Sequence, residues 1–585
     1  MNKEWDLTPL YEGIDTEKFQ NDLAELTKAV AECNAFAAAM PADPAAGIRK
    51  GLELQERIQL LAMPLFEYAS LRSSVNTSDG EALDAISRLQ KLMSDLSASE
   101  AAFHAYVGRT ENLEELIAAD PFLGDYSFLL RNMKEDAKYV LDEKVEEALA
   151  KMNLSGGSAW ENLQAYLTST VEADYRGEKR NLSAVRNLAY DPDPAVRKDA
   201  YDAEIACYDK IKDAISFSLN SLKLQVTTEC EMRKAGSPLE MTLRASRMQR
   251  STLDAMITAI EEYLPVFWKY LRAKAKLLGY EGGLKWWDLF APMGKNTATY
   301  TVEDAKKYLL DHFRPFAPDM ADMMEHAFDD AWIDFYPHPG KVGGAFCANV
   351  ASIKQSRVLT NFDGSFSDIV TLAHELGHAY HGMMIENHRP LNLDYSMPVA
   401  ETASTFNETV VMNAALDEAT DDEVKMGLLE SQLQDTTQIM CDIMSRYWFE
   451  TAVFEKAKDG FAFADELCAM MKEAQKRAYG DGLDPETLHP YMWVCKSHYY
   501  SSGLSFYNWP YAFGGLFAAG LYARYRKEGA SFVPKYRALL KATTVACAED
   551  VAKMADIDLG DVNFWRDSLE IFKQRVELFL ELAQK

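Results

Sequence analysis

Several things are scarce in this 585-residue chain, and each scarcity excludes a class of protein. Its eight cysteines are scattered from Cys33 to Cys547 with no CxxC pair, which suits neither a structural metal module nor a disulfide scaffold. Free thiols in a reducing compartment, and so a cytoplasmic protein, are the expectation. Nowhere do about 18 apolar residues run together, so no membrane-spanning helix is expected. The stretch from Met1 to Gly13 carries acidic residues and no apolar core, so no signal peptide is expected either. Basic charge is short: 61 Lys and Arg stand against 90 Asp and Glu, a formal net charge of −29. That balance argues against nucleic acid and against an anionic membrane surface as partners. No repeat of constant period is found, which argues against a regular solenoid. Nothing in the sequence speaks to oligomeric state.

Apolar material is ample. Hydrophobic residues make up 48% of the chain and aromatics 11%, enough for large packed cores. Length alone suggests about three to five domain-sized units. From about Asp15 to Leu284 apolar residues recur three and four apart, the period of a helix packed on one face. Leu83, Ile86, Leu89, Leu92 and Met93 form one such stripe. Asp191-Pro192-Asp193-Pro194 reads as a turn before a helix, and Ser155-Gly156-Gly157-Ser158 as a break. Between about Trp286 and Gly364 prolines and glycines cluster around two β-type runs, Ile333–Tyr336 and Arg357–Thr360. The intervening Tyr336–Cys347 reads as loop plus an edge strand, and a helix begins at Val302. After Gly364 the helical pattern resumes to Lys585. The expected fold class is mainly α with one small sheet.

Directly after that sheet lies His374-Glu375-Leu376-Gly377-His378. Ser365 and Asp368 are placed for a capping box, and Gly382 for a helix stop. Two imidazoles four residues apart project from one helical face and can share one ion, while Glu375 is turned about 100° away, within reach of a water. Two histidines and a carboxylate suit zinc with one open position, and a nearby carboxylate can take a proton from the attacking water. On its own the motif arises by chance often enough that an ordinary pair of helix histidines is the competing reading. A metzincin requires Gly at 381 and His at 384, but His381 and Met384 stand there. The third ligand is then sought among Glu386, Glu401 and Glu408. Glu386 is too near the end of the first helix. Ser396-Met397-Pro398 looks like the start of a second helix, on which Glu401 and Glu408 lie seven apart on one face. Glu401 is favoured as ligand, with Glu408 behind a ligand imidazole; the choice between them stays open on spacing alone.

The sequence resembles the thimet-oligopeptidase group of metallopeptidases, and within it the oligoendopeptidase F family. The likeness rests on His374–Gly382, on Glu401-Thr-Ala-Ser404-Thr-Phe-Asn-Glu408, on Gly344–Cys347 and Asn361–Gly364, and on Trp5–Tyr11 and Gly156–Trp160. It runs over nearly the whole chain. The resemblance implies a multi-helical ellipsoid with a deep substrate channel and a zinc ion, one per chain, held by His374, His378 and Glu401. It implies Glu375 as catalytic base, with His498 and Tyr511 facing the oxyanion, Tyr507 a substrate contact and Glu408 supporting the ligands. Gly344, Ala345 and Phe346 would bind substrate by strand addition. Asn508-Trp509-Pro510 departs from the family's more tyrosine-rich versions, so the register of the tyrosines is the least fixed part. By this likeness residues 1–110 form an N-terminal helical region, 111–185 an oligoendopeptidase F-type helical domain and 186–585 the catalytic region. The implied activity is zinc-dependent endopeptidase action on oligopeptides. Rival readings are a carboxypeptidase or dipeptidyl carboxypeptidase on the same site, and a non-catalytic helical binding protein.

Overall fold

Short polar residues ahead of apolar periodic runs mark where helices begin, because a side-chain oxygen can satisfy an orphan N–H of the first turn. The computed structural model describes residues 3–294 and 298–585. In it Asp43, Asp79, Asp193 and Ser237 each accept such a bond from the helix that follows. The expected turn at Asp191–Pro194 does precede a helix, Pro194–Tyr208. The Ser155–Ser158 break likewise separates Glu143–Ser155 from Gly157–Thr170. Helices dominate throughout, as the periodicity requires.

Two details depart from the sequence reading. In the helix Gly80–Ser94 the buried residues are Ala82, Ala85 and Leu89, while Leu83 is 45% exposed. Ile86, Leu92 and Met93 pack against the same core as Leu89, so the expected stripe holds except at Leu83. A second small sheet is also present, the antiparallel hairpin β1 (Glu172–Tyr175) and β2 (Glu178–Asn181). Its two-residue turn has both Arg176 (φ 50°) and Gly177 (φ 85°) in the left-handed region, as a type I′ hairpin turn demands. Four-residue strands inside a helical stretch leave too short an alternation to read.

The chain divides into two compact units, each assembled from three separate stretches. Unit 1 comprises Met1–Val140, Ala298–Met412 and Arg524–Asp556. Unit 2 comprises Leu141–Thr297, Asn413–Ala523 and Ile557–Lys585.

Unit 1 holds the anticipated sheet. Its strands β3 (Ile333–Asp334), β4 (Phe346–Val350) and β5 (Gln355–Leu359) are ordered β3-β5-β4, with β3 parallel and β4 antiparallel to β5. Phe346 pairs with Leu359 and Val350 with Gln355, so β4 is an edge strand. Val350 and Leu359 join a core with Leu10, Phe19, Leu65 and Tyr68. Buried Arg357 ties the amino-terminal segment to this sheet, its Nε donating to the Asp6 carbonyl at 2.8 Å.

Unit 2 packs its own core, with Ile215, Leu219, Leu222, Phe449, Trp493 and Tyr500 at its centre. It also buries ion pairs: Lys223–Glu450 at 2.7 Å, Arg197–Asp288 at 2.7 Å, and Lys274–Glu430. Removing one partner of such a pair leaves an uncompensated buried charge, at a cost of about 3–5 kcal/mol. Between the helices Asp422–Thr437 and Ile443–Asp459 the chain makes a π turn, Gln438–Asp442.

Candidate active site

The helix carrying the histidines spans Phe366–Ile385. Its start is the capping box expected from sequence: Ser365 Oγ accepts from Asp368 N at 3.3 Å, and Asp368 Oδ2 accepts from Ser365 N at 2.9 Å. Its end is later than expected. Gly382 is buried inside the helix, which runs on to Ile385. The missing side chain at Gly382 makes room for Asn349, whose carboxamide occupies the space a Cβ would take. Asn349 Nδ2 then donates to the His378 carbonyl at 3.2 Å, linking β4 to the helix.

The second element is built in two pieces. Ser396 precedes a short helix, Met397–Ala400, without a side-chain capping bond, and Pro398 lies in its first turn. Glu401 sits at a joint (φ −88°, ψ 10°), and a new helix, Thr402–Glu418, follows. The single helix expected for Glu401 and Glu408 is therefore interrupted, and Glu401 is aimed by the joint. Gly377 lets this segment close on the first helix: a Cβ there would lie 2.6 Å from the Ala403 carbonyl oxygen and from the Ser404 Cα. Asn407 Nδ2 donates to the Ala373 carbonyl at 3.1 Å, fixing the two helices against each other.

The result is a three-donor group. Glu401 Oε2 lies 3.4 Å from His374 Nε2 and 3.3 Å from His378 Nε2. One donor atom from each residue lies within 4.8 Å of the others. Two donors held about 2.0–2.1 Å from a tetrahedral zinc ion stand roughly 3.3 Å apart, so the observed spacing fits a shared metal. The ring orientation fits as well. His374 Nδ1 meets Glu408 Oε1 at 2.5 Å, which leaves Nε2 as the ring nitrogen that could ligate a metal. Ser404 Oγ donates to Glu401 Oε2 at 2.7 Å and steadies that carboxylate.

The electrostatics follow the geometry. Burial disfavours the charged form of His374, but the Glu408 carboxylate outweighs it and lifts the ring to about 9. Burial would raise Glu401, yet its bond to His378 and the Ser404 hydroxyl hold it down at about 2. Glu375 is only 6% exposed, and burial pushes its carboxyl above the ordinary range, partly countered by the two imidazoles. A carboxylate tuned upward is better able to take a proton and give it back. His381 takes another course. It is fully buried, stacked on Tyr395 with centroids 4.3 Å apart and bonded through Nε2 to Thr543 Oγ1 at 2.8 Å. Burial holds it neutral, with a pKa near 3.

Of the candidate substrate-binding residues, Phe346 opens β4, whereas Gly344 and Ala345 lie just ahead of the strand. Gly344 has φ +78°, and its carbonyl accepts from Asn361 Nδ2 at 2.8 Å.

A second set lies in unit 2. His498 sits on a 3-10 turn, Ser497–Tyr499, and Tyr511 in the first turn of the helix Trp509–Glu528. His498 Nε2 and the Tyr511 hydroxyl are 3.4 Å apart, and Tyr507 packs on both rings with centroids 5.1 and 5.4 Å away. Tyr511 is 41% exposed, whereas Tyr499 and Tyr500 are core residues. Burial lowers the pKa of His498, and the positive charges of Arg446 and Lys496 add to the effect. The segment is held by Asn508, whose Nδ2 donates to the buried Glu450 at 3.0 Å, and by Phe506 in the left-handed region at φ 54°. Neither Asn508 nor Glu450 is marked by any local pattern in the sequence. The same holds for Asn349, while Asn407 stands beside Glu408 in a recognisable element.

A mainly helical chain carrying such a donor group, with a buried glutamate beside it, has the build of a metallopeptidase. Comparison with known proteins agrees. The sequence matches peptidase family M3 over residues 187–570 and oligopeptidase F over residues 109–172. It is 24% identical to oligopeptidase PepF of Bacillus subtilis, over 93% of this chain and 82% of that protein. It is 23% identical to group B oligopeptidase PepB of Streptococcus agalactiae, over 100% of this chain and 97% of that one. The fold matches the crystal structure of oligoendopeptidase-F from Enterococcus faecium with a TM-score of 0.70 at 18% identity, covering 97% of this chain and 99% of the other. The chain belongs to peptidase family M3. M3 is a metallopeptidase family, so the protein is a peptidase with peptide substrates and a metal requirement. No helix among the described residues is long and apolar enough to cross a membrane.

Proposed function

We propose that the chain is a zinc-dependent endopeptidase that hydrolyses internal bonds of short oligopeptides. The observation that carries this reading is the His374–His378–Glu401 group, with donor spacings of 3.3–3.4 Å and Glu375 buried beside it. A zinc ion bound there supplies Lewis acidity toward the scissile carbonyl and makes an attacking water more acidic. Glu375 takes a proton from that water and hands it to the leaving amine. His374 and His378 are held as ligands from one helical face, the first fixed in its tautomer by Glu408. His498 and Tyr511 are given the role of donors to the developing oxyanion, supported by their 3.4 Å contact and the exposure of Tyr511. Gly344, Ala345 and Phe346, at the start of an edge strand, are read as the place where a peptide pairs through its main chain, with Tyr507 as a further contact. Eight unpaired cysteines suit a reducing compartment, and the reading places the enzyme in the cytoplasm.

The test is an internally quenched peptide blocked at both ends. An endopeptidase cuts it, and a zinc chelator abolishes the cut while leaving the helical circular dichroism intact. Cleavage only of peptides with a free carboxyl terminus would replace this reading by a carboxypeptidase. Loss of the fold on chelation would replace it by a structural metal site.

A further inference from the structure

Unit 2 contains a cavity of about 340 Å³ that the proposed chemistry does not use, at the lower end of the size range of small-ligand pockets. Its walls are aromatic: Tyr201 packs on Trp287 with centroids 5.3 Å apart, and Tyr190 on Phe290 at 4.9 Å. Trp286 closes another side, against His489 at 5.7 Å. Among small and apolar residues the lining also carries five charged side chains, Arg186, Arg197, Glu204, Asp442 and Lys496.

The charges do not cancel. Arg197 is matched by buried Asp288 at 2.7 Å. Arg186 meets Glu204 at 3.1 Å, and Glu204 is further occupied by the Tyr208 hydroxyl at 2.9 Å and by His489 at 3.3 Å. Asp442 is claimed by Arg446, directly behind the wall. Each of the three carboxylates thus has its guanidinium, and Lys496 is the fourth cation. It is only partly exposed, and its ammonium makes no hydrogen bond or close ion pair among the described residues. A surplus positive charge facing a cavity, in a chain of net charge −29, is the opposite of what the composition would put there.

Two further observations point to a ligand. The π turn Gln438–Asp442 places both Gln438 and Asp442 on the lining, and such turns recur at functional sites because they cost regular hydrogen bonding. Lys496 also stands two residues before His498, on the same short stretch that carries the proposed oxyanion donor. A single surplus charge with aromatic walls suits a monoanion attached to an apolar residue, rather than a phosphate or a polyanion.

We propose that this cavity binds a carboxylate of the peptide substrate, with the Lys496 ammonium and the Arg186 guanidinium as its anchors. The proposal rests on the peptidase reading and assigns that enzyme a preference. The carboxylate is either the terminal one or an acidic side chain, and the recognising chemistry is the same.

The experiment compares two pairs of N-acetylated alanine-rich hexapeptides. One pair ends in a free carboxylate or a carboxamide; the other is amidated throughout and carries glutamate or glutamine at one inner position. KM is measured for the wild type, Lys496→Met and Lys496→Arg. The expected result is a KM at least about tenfold lower for the carboxylate member of one pair, lost in Lys496→Met and restored in Lys496→Arg. The pair that responds identifies the source of the carboxylate. Binding of the same peptides to Glu375→Gln by calorimetry separates the two readings. A carboxylate preference in that binding, together with no cleavage of any of these peptides by the wild type, keeps the cavity and removes the peptidase mechanism. Equal KM and equal binding within both pairs, or a full preference surviving in Lys496→Met, overturns the proposal.

Discussion

The His374 group and the His498 group are built on different kinds of backbone. The first stands on a capped twenty-residue helix, where the spacing of His374 and His378 is fixed by the turn of the helix itself and a second helical segment is brought against it at Gly377. The second stands on a 3-10 turn, an irregular stretch and the first turn of another helix. There the side chains are aimed by tertiary anchors: Asn508 on Glu450, Glu450 on Lys223, and Phe506 held at φ 54° by packing on Tyr447 and Phe454. A left-handed conformation at a bulky residue costs of order 1–2 kcal/mol and persists only where its surroundings over-determine it. Metal ligands need a fixed spacing, which a helix supplies locally. Donors to a developing charge need only a direction, which can be supplied from afar.

The two groups should therefore fail in different ways. Glu401→Ala removes the only carboxylate of the donor set, and metal content by elemental analysis should fall to background together with activity. Zinc retained at one per chain would mean that another carboxylate is the ligand. Tyr511→Phe should keep its metal and its KM while kcat falls roughly 10²–10³-fold, the usual cost of one oxyanion donor. An unchanged kcat would make Tyr511 a wall residue only. Glu408→Gln keeps the shape but weakens the hold on His374 Nδ1, and zinc affinity by competition with a chelator should drop roughly 10–100-fold. Gly377→Ala pushes a methyl into the Ala403 backbone, for a destabilisation of about 1–3 kcal/mol on the scale of overpacked cores. Its thermal midpoint should fall, and restored stability with excess zinc would show that the strain falls on the ligand-bearing joint.

The same contrast explains what could be read from the sequence. The capping box at Ser365, the two histidines one turn apart and the edge strand before them are local patterns, and the structure has them. Gly382 misleads because a glycine that makes room for a neighbour looks like one that ends a helix; only Asn349, 33 residues away, tells the two apart. Glu401 and Glu408 are seven apart and read as one helix, but the helix breaks at Glu401, just before the chain closes on Gly377, and no local pattern marks that break. The β1–β2 hairpin is too short to leave an alternation. Lys496, Arg186 and Asp442 lie more than 250 residues apart at the extremes, and nothing in their local sequence announces a shared cavity.

Glu375→Gln tests the central claim most directly, with zinc content and turnover measured on the same preparation. The expected result is one zinc per chain, an unchanged fold and peptide binding, and a kcat lowered by about 10²–10⁴, the range of a general base. A Glu375→Gln enzyme that binds zinc and still turns over at the wild-type rate would contradict it.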